Sequence, residues 1–215
     1  MGIVNTDGQI WSAQRRFSLT NLKDLGFGKK SLDITMVEEV DQVIDKLLES
    51  ENGIVTMHNT FNTAIINVLW QIVASKRFEP DQPDTNKMMT MLNAQFKTGQ
   101  SIRFFFPSIQ KYFPLRLVDH YLIEMKDMMK EIISEHLKDI DYDNPRDFID
   151  IYLNEMQNNA NFDHEHLVVI CLDFFQAGAE TTSTTLLWVR ISTAYFFQII
   201  LECKKSLHII HSFKF

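Results

Sequence analysis

Inside an apolar stretch near the C-terminal end, Ala177-Gly178-Ala179-Glu180-Thr181-Thr182 places a glycine, an acid and two hydroxyls in immediate succession. Glycine within a helix costs about 1 kcal/mol relative to alanine, and a carboxylate carried into apolar surroundings needs compensation. Packing alone supplies no motive for the set. A small ligand lying against the helix, with protons required beside it, does. Gly178 removes a Cβ and lets something approach the backbone, while the acid and hydroxyls hold and pass protons. On a helix, Leu167, Ile170/Cys171, Phe174, Gly178, Thr181/Thr182, Thr185 and Trp188 fall on one connected side. Asp173 and Glu180 form a separate polar stripe, with Gln176 between them. Thr181 can bond back to the carbonyl of Ala177, which bends a helix and exposes its groove. The competing reading is an ordinary buried helix with an accidental threonine run.

A second pair with chemical potential is Trp11 and Arg15, at i and i+4 and therefore pointing together. An indole N–H and a guanidinium can donate to one carboxylate. The bland alternative is an exposed cation–π pair, worth only about 0.5–1 kcal/mol. His164 and His166 flank Glu165, but side chains two apart on a helix diverge, so they read as a solvated first turn and no metal-ligating set is assigned. Met125, Met128 and Met129 read as core filling.

The elements that must carry these residues follow from apolar spacing. Trp11 to Leu19 reads as a short amphipathic helix after the Asp7-Gly8 turn. Longer helical patterns run from Leu32 to Leu48, from Phe61 to Ile72, from Met88 to Phe96 and from Leu115 to Leu137. Arg103-Phe104-Phe105-Phe106 precedes a short segment between Pro107 and Pro114. Pro145 is a favoured first helical residue for a helix ending near Met156, and Asp163 stands as the N-cap of the helix that carries the six residues. No useful strand alternation or internal repeat occurs, so the fold class is all-α. After Val189 the aromatic-rich pattern does not extend the long helix cleanly. The expected organisation is a domain over 1–189 and a divergent tail over 190–215.

Composition narrows the function. The chain has 215 residues, 45% of them hydrophobic, with a net charge of −7, which argues against a nucleic-acid partner. Two cysteines without a CxxC or a disulfide framework fit a reducing, intracellular setting.

The six residues resemble the oxygen-activation motif of the cytochrome P-450 haem-thiolate monooxygenases. Other places resemble that family in the same order: Trp11-Ser12-Ala13-Gln14-Arg15, Lys76-Arg77-Phe78 with Ser75 where glycine is more usual, Phe106-Pro107, Phe113-Pro114, Glu135-His136 and Pro145-Arg146-Asp147-Phe148-Ile149-Asp150. The order follows its microsomal branch. The resemblance implies a haem cofactor, an apolar small-molecule substrate and electrons from NADPH through a separate reductase. It implies that Thr181 hydrogen-bonds the oxygen being activated or its water, that Glu180 connects the site to solvent, and that Ala177 and Gly178 leave room for the diatomic. Trp11 and Arg15 would both donate to a haem propionate. It also implies an endoplasmic reticulum membrane location and membrane association for the complete family member.

The pattern departs from the family at the metal. The family's Phe-x-x-Gly-x-Arg-x-Cys-x-Gly loop is absent: Cys171 lies on the long helix, and around Cys203 the residues Ile199, Leu201 and Lys205 stand in the Gly, Arg and Gly places. No arginine has a glutamate three residues before it. The expectation is an internal piece of such an enzyme without its anchor and first sheet, followed by an unrelated tail and not competent alone. A non-enzymatic helical isoform or interaction protein is the alternative.

Overall fold

The computed structural model describes residues 2–4, 6–49, 57–79, 82–97 and 116–212. Among them the elements are all helices: α1 (Gly8–Asp24), α2 (Lys30–Leu48), α3 (Met57–Ala74), α4 (Pro83–Lys97), α5 (Arg116–Asp139), α6 (Phe148–Met156) and α7 (His164–Ser212). Arg103 to Phe106, Pro107, Pro114 and the Cys203 side chain lie outside the described positions. The all-α expectation holds.

The first half of α7 is the spine. α3 makes the largest interface with it, α5 packs on it as well, α2 covers α3, and α4 lies between α3 and α5. The apolar spacing explains the choice of faces. Ile66, Trp70 and Val73 of α3 meet Met125, Met129 and Ile133 of α5, with Leu167, Ile170 and Phe175 of α7, in one buried cluster. Met128 is only partly buried at its edge. The Trp70 ring stands edge-on to Phe175 at 4.6 Å and stacks on Phe78 at 5.9 Å. α1 is held from the side: Phe17 meets Phe162 at 4.8 Å and Tyr152 at 5.6 Å, and the Tyr152 hydroxyl donates to Gln14 Oε1 at 2.9 Å.

Several boundaries differ from the sequence reading, each for a local reason. α1 is longer than Trp11 to Leu19, because nothing between Leu19 and Asp24 interrupts helical φ/ψ. Pro145 is not the first residue of α6. Asp147 is its N-cap, with a side-chain oxygen accepting the Asp150 N–H at 2.9 Å, and a capping carboxylate outweighs a proline two residues earlier. Asp163 does cap α7, accepting the His166 N–H at 2.7 Å. Past Val189 the backbone stays helical as far as Ser212, since neither glycine nor proline is there to end it. A helix of 49 residues is roughly 70 Å long. Beyond Ser183 no described residue of α7 is fully buried, and Trp188, Tyr195, Phe196 and Phe197 are all more than 60% exposed or at that level. Among the described residues no helix is long and apolar enough to cross a membrane.

Ser75 explains the usual glycine at its position. Its φ is +49°, the left-handed region. The reversal there ends α3 and delivers the next three residues to partners: Lys76 pairs with Glu135, Arg77 Nε donates to Glu39 Oε1 at 2.6 Å, and the Phe78 N–H donates to Asn67 Oδ1 at 2.9 Å. A non-glycine residue pays about 1–2 kcal/mol for this conformation, partly offset by glycine's greater freedom when unfolded. Ser75→Gly is therefore expected to stabilise the fold by about 0.5–1 kcal/mol. A urea midpoint that stays put or falls would contradict it.

Candidate functional site

The structure divides the long helix side by length. Leu167, Ile170 and Cys171 are buried in the core, Phe174 and Gly178 are half-buried, and Thr181, Thr182, Thr185 and Trp188 are exposed. The side is continuous along the helix, but the body covers only its first part.

Thr181 donates its hydroxyl proton to the Ala177 carbonyl at 2.6 Å, and Thr185 repeats the bond to the Thr181 carbonyl at 2.8 Å. Each hydroxyl therefore offers only lone pairs outward until its rotor turns. Ala177 is exposed beside Thr181, whereas Ala179 is buried against the core. Glu180 is half-buried; Thr184 Oγ1 lies 3.4 Å from its Oε1, and the Ser183 hydroxyl donates to its backbone carbonyl at 3.2 Å.

Gly178 has a packing partner. A Cβ built there would stand 2.5 Å from Leu69 Cδ1 of α3, so the missing side chain lets the two helices approach. Only the end of a flexible leucine is in the way, so the contact is close but forgiving.

Trp11 and Arg15 stay together as the i,i+4 spacing requires, with the guanidinium carbon 5.7 Å from the indole centroid. The indole N–H donates to the Ile3 carbonyl at 2.9 Å, while Arg15 is exposed. Of the two donors, the guanidinium is the one facing outward.

Asp173 was placed by sequence in a polar stripe but given no task. Its Oδ2 accepts the N–H groups of Ile3, at 2.5 Å, and Val4, at 3.0 Å. Gly2 lies against the same carboxylate and Val169, where any Cβ would collide. Burial, the largest influence, pushes the Asp173 carboxyl above its ordinary range, and the two N–H groups pull it partly back. Asp173, Ile3 and Trp11 thus form a relay of hydrogen bonds joining α7 to α1. The usable signal was an aspartate inside an apolar helix one turn before Ala177.

The donors test a haem-thiolate centre unevenly. Exposed Ala177 and Thr181 and the outward Arg15 fit a flat cofactor with carboxylate arms. Cys171 does not fit as its iron ligand. It has no exposed surface, and burial, reinforced by Asp147, drives its thiol well above the usual range, whereas a metal ligand must be a thiolate.

A family model described as Cytochrome P450 matches residues 1–190. Among curated relatives, the chain is 32% identical over 207 residues to cytochrome P450 2J3 of Rattus norvegicus, covering 91% of this chain and 41% of that protein. It is 32% identical over 196 residues to cytochrome P450 2B4 of Oryctolagus cuniculus, covering 86% and 40%. A solved zebrafish cytochrome P450 with progesterone superposes with a TM-score of 0.77 at 22% identity, covering 92% of this chain and 46% of that one, a likeness of fold. The chain thus spans about two fifths of the length of these curated relatives. The ordered motifs, the helical body and these similarities agree: the chain belongs to the cytochrome P450 family.

Proposed function

We infer that this chain forms the oxygen-side wall of a haem-dependent monooxygenase that inserts an oxygen atom from dioxygen into an apolar small molecule, with NADPH electrons delivered by a reductase. Haem, when bound, supplies the iron chemistry that activates dioxygen. The chain's own residues would manage room, orientation and protons. Ala177 leaves an open surface beside the Thr181 hydroxyl. Thr181, bonded back to Ala177, accepts a hydrogen bond from an ordered water and passes its own proton outward when the rotor turns. Glu180, with the Thr184 hydroxyl beside it, would carry protons from solvent towards that water. Arg15 would hold a propionate, with Trp11 supporting the guanidinium and tied down through Ile3 and Asp173. Gly178 contributes by letting α7 sit against α3. The observation that carries the reading is the exposed Ala177–Thr181 pair, one and two turns beyond Asp173 on a helix that buries Phe175 and Ala179 beside it.

By the same reading 1–189 is the family domain and 190–215 a divergent tail. The complete enzyme would be placed at the endoplasmic reticulum membrane. The exposed aromatics of α7 also favour a second reading, a non-enzymatic isoform that associates through this apolar surface.

Haem titration of the chain tests the first reading. A saturating Soret change at about one haem per chain is expected, and Arg15→Ala should weaken it about tenfold, the loss of a charge-assisted hydrogen bond of roughly 1.5 kcal/mol. No saturable binding, with self-association through the α7 aromatics instead, supports the second.

A further inference from the structure

We propose that His136 is a buried imidazolium serving as a proton-operated clasp between α5 and α6, closed at neutral pH and opened as the medium becomes alkaline. The geometry leaves the ring no other role. His136 Nδ1 lies 2.9 Å from the Ile132 carbonyl oxygen and Nε2 lies 2.9 Å from Asp147 Oδ2. A carbonyl only accepts, and an ionised carboxylate only accepts, so both ring nitrogens must donate. Both side chains are almost wholly removed from solvent, at 5% and 0% exposure.

The surrounding charges hold the arrangement from every side. From the α5–α6 connection, Asp147 gives its second oxygen to the Asp150 N–H as the cap of α6. Asp150, also buried, receives Arg146 Nε at 2.7 Å, and Arg146 reaches back to both oxygens of Asp139 at the end of α5. Glu135 and Lys138 flank His136 on its own helix, Lys76 after α3 pairs with Glu135, and from α7 the neutral Cys171 thiol lies near Asp147.

A divalent cation is the other occupant that one histidine and two aspartates suggest, since their candidate ligand atoms lie within 4.8 Å of one another. It does not fit. Both Asp150 oxygens are taken by the Arg146 guanidinium, whose positive charge would repel the ion, and Asp147 is divided between the ring and the helix cap.

Burial is the largest influence on the His136 ring and disfavours its charge. The Asp147 and Ile132 hydrogen bonds, with the charges of Asp147 and Asp150, together outweigh burial and raise its pKa above the ordinary 6.5. The sign follows from linkage. A folded-state value above the unfolded one makes the stabilisation complete below about pH 6.5 and removes it as pH climbs through the folded value. What is released is the start of α6, and with it Tyr152 and Phe148, which grip Gln14 and Phe17 of α1.

Histidine side-chain NMR of the whole chain tests this. The expected result is one imidazole with both nitrogens protonated at pH 7, titrating above 6.5, and unfolding stability that falls in step with that titration. Asp147→Asn keeps a good helix cap but removes the charge, and should lower the midpoint by about one pH unit or more. A neutral His136 tautomer at pH 7, or a wild-type stability profile without that decline, overturns the proposal. So does a midpoint indifferent to Asp147→Asn. The wild-type measurements decide even if the variant fails to fold.

Discussion

Haem reconstituted into this polypeptide, reduced and exposed to carbon monoxide, is expected to lack the red-shifted Soret band that thiolate ligation produces. The reason lies in the two cysteines. Cys171 packs among Ile170, Leu172 and Phe175 in the core and is wholly buried. A thiolate there would be a charge in apolar surroundings, close to the Asp147 carboxylate, and both effects keep the proton on sulfur. Bringing Cys171 to a metal would require rotating α7 and exposing its core side, so the iron would have to replace the main interface with α3. Cys203 falls within the span of α7 and lacks the glycine and arginine spacing of the family loop. Monooxygenation supported by NADPH and reductase should accordingly be absent from the chain alone. The decisive contrary result is a thiolate-type carbon monoxide spectrum that disappears in Cys171→Ser or Cys203→Ser.

Trp70→Ala should cost about 3–5 kcal/mol, the largest loss expected from a single substitution in this core. The ring is 1% exposed and touches Phe78 and Phe175, so its removal opens space between α3 and α7 that neither helix can close. The companion variant separates volume from polarity. Among the described residues the buried Trp70 Nε1 has no hydrogen-bond partner, so phenylalanine discards a polar group that contributes nothing while keeping most of the ring. Trp70→Phe is expected to cost less than about 1.5 kcal/mol. Equal losses for the two variants in denaturant titrations would mean that the indole N–H is bonded and that the account of this core is wrong.

The helices were legible in sequence wherever one face had to be apolar. Leu115 to Leu137 nearly coincides with α5, where Met125, Met129, Ile132 and Ile133 are buried at helical spacing, and Leu32 to Leu48 ends with α2 at Leu48, although Met36, Val37, Val40 and Ile44 of its apolar stripe are exposed. The Asp163 cap was legible because its partner is three residues away. Long-range pairings were not. That Asp173 serves the amides of Ile3 and Val4, or that the Trp11 N–H is spent on Ile3, depends on segments that meet only after folding. The same limit governed the site. Spacing grouped Gly178 with Thr181, but only the position of Leu69 reveals that the glycine makes room for a neighbouring helix. The course of α7 beyond Val189 was illegible for another reason: the irregular apolar pattern there gives no clean helical stripe, yet without a breaker the backbone keeps its ladder.

The bond from Ile3 to Asp173 closes a separation of 170 residues. During synthesis at about 5–20 residues per second, the segment around Ile3 must wait roughly 10–30 seconds before its acceptor is made. Until then the nascent chain carries α1 unlatched. The seam between α1 and α7 can close only once both partners exist, so whatever delays translation near Asp173 prolongs the interval in which a chaperone can hold the Ile3 segment.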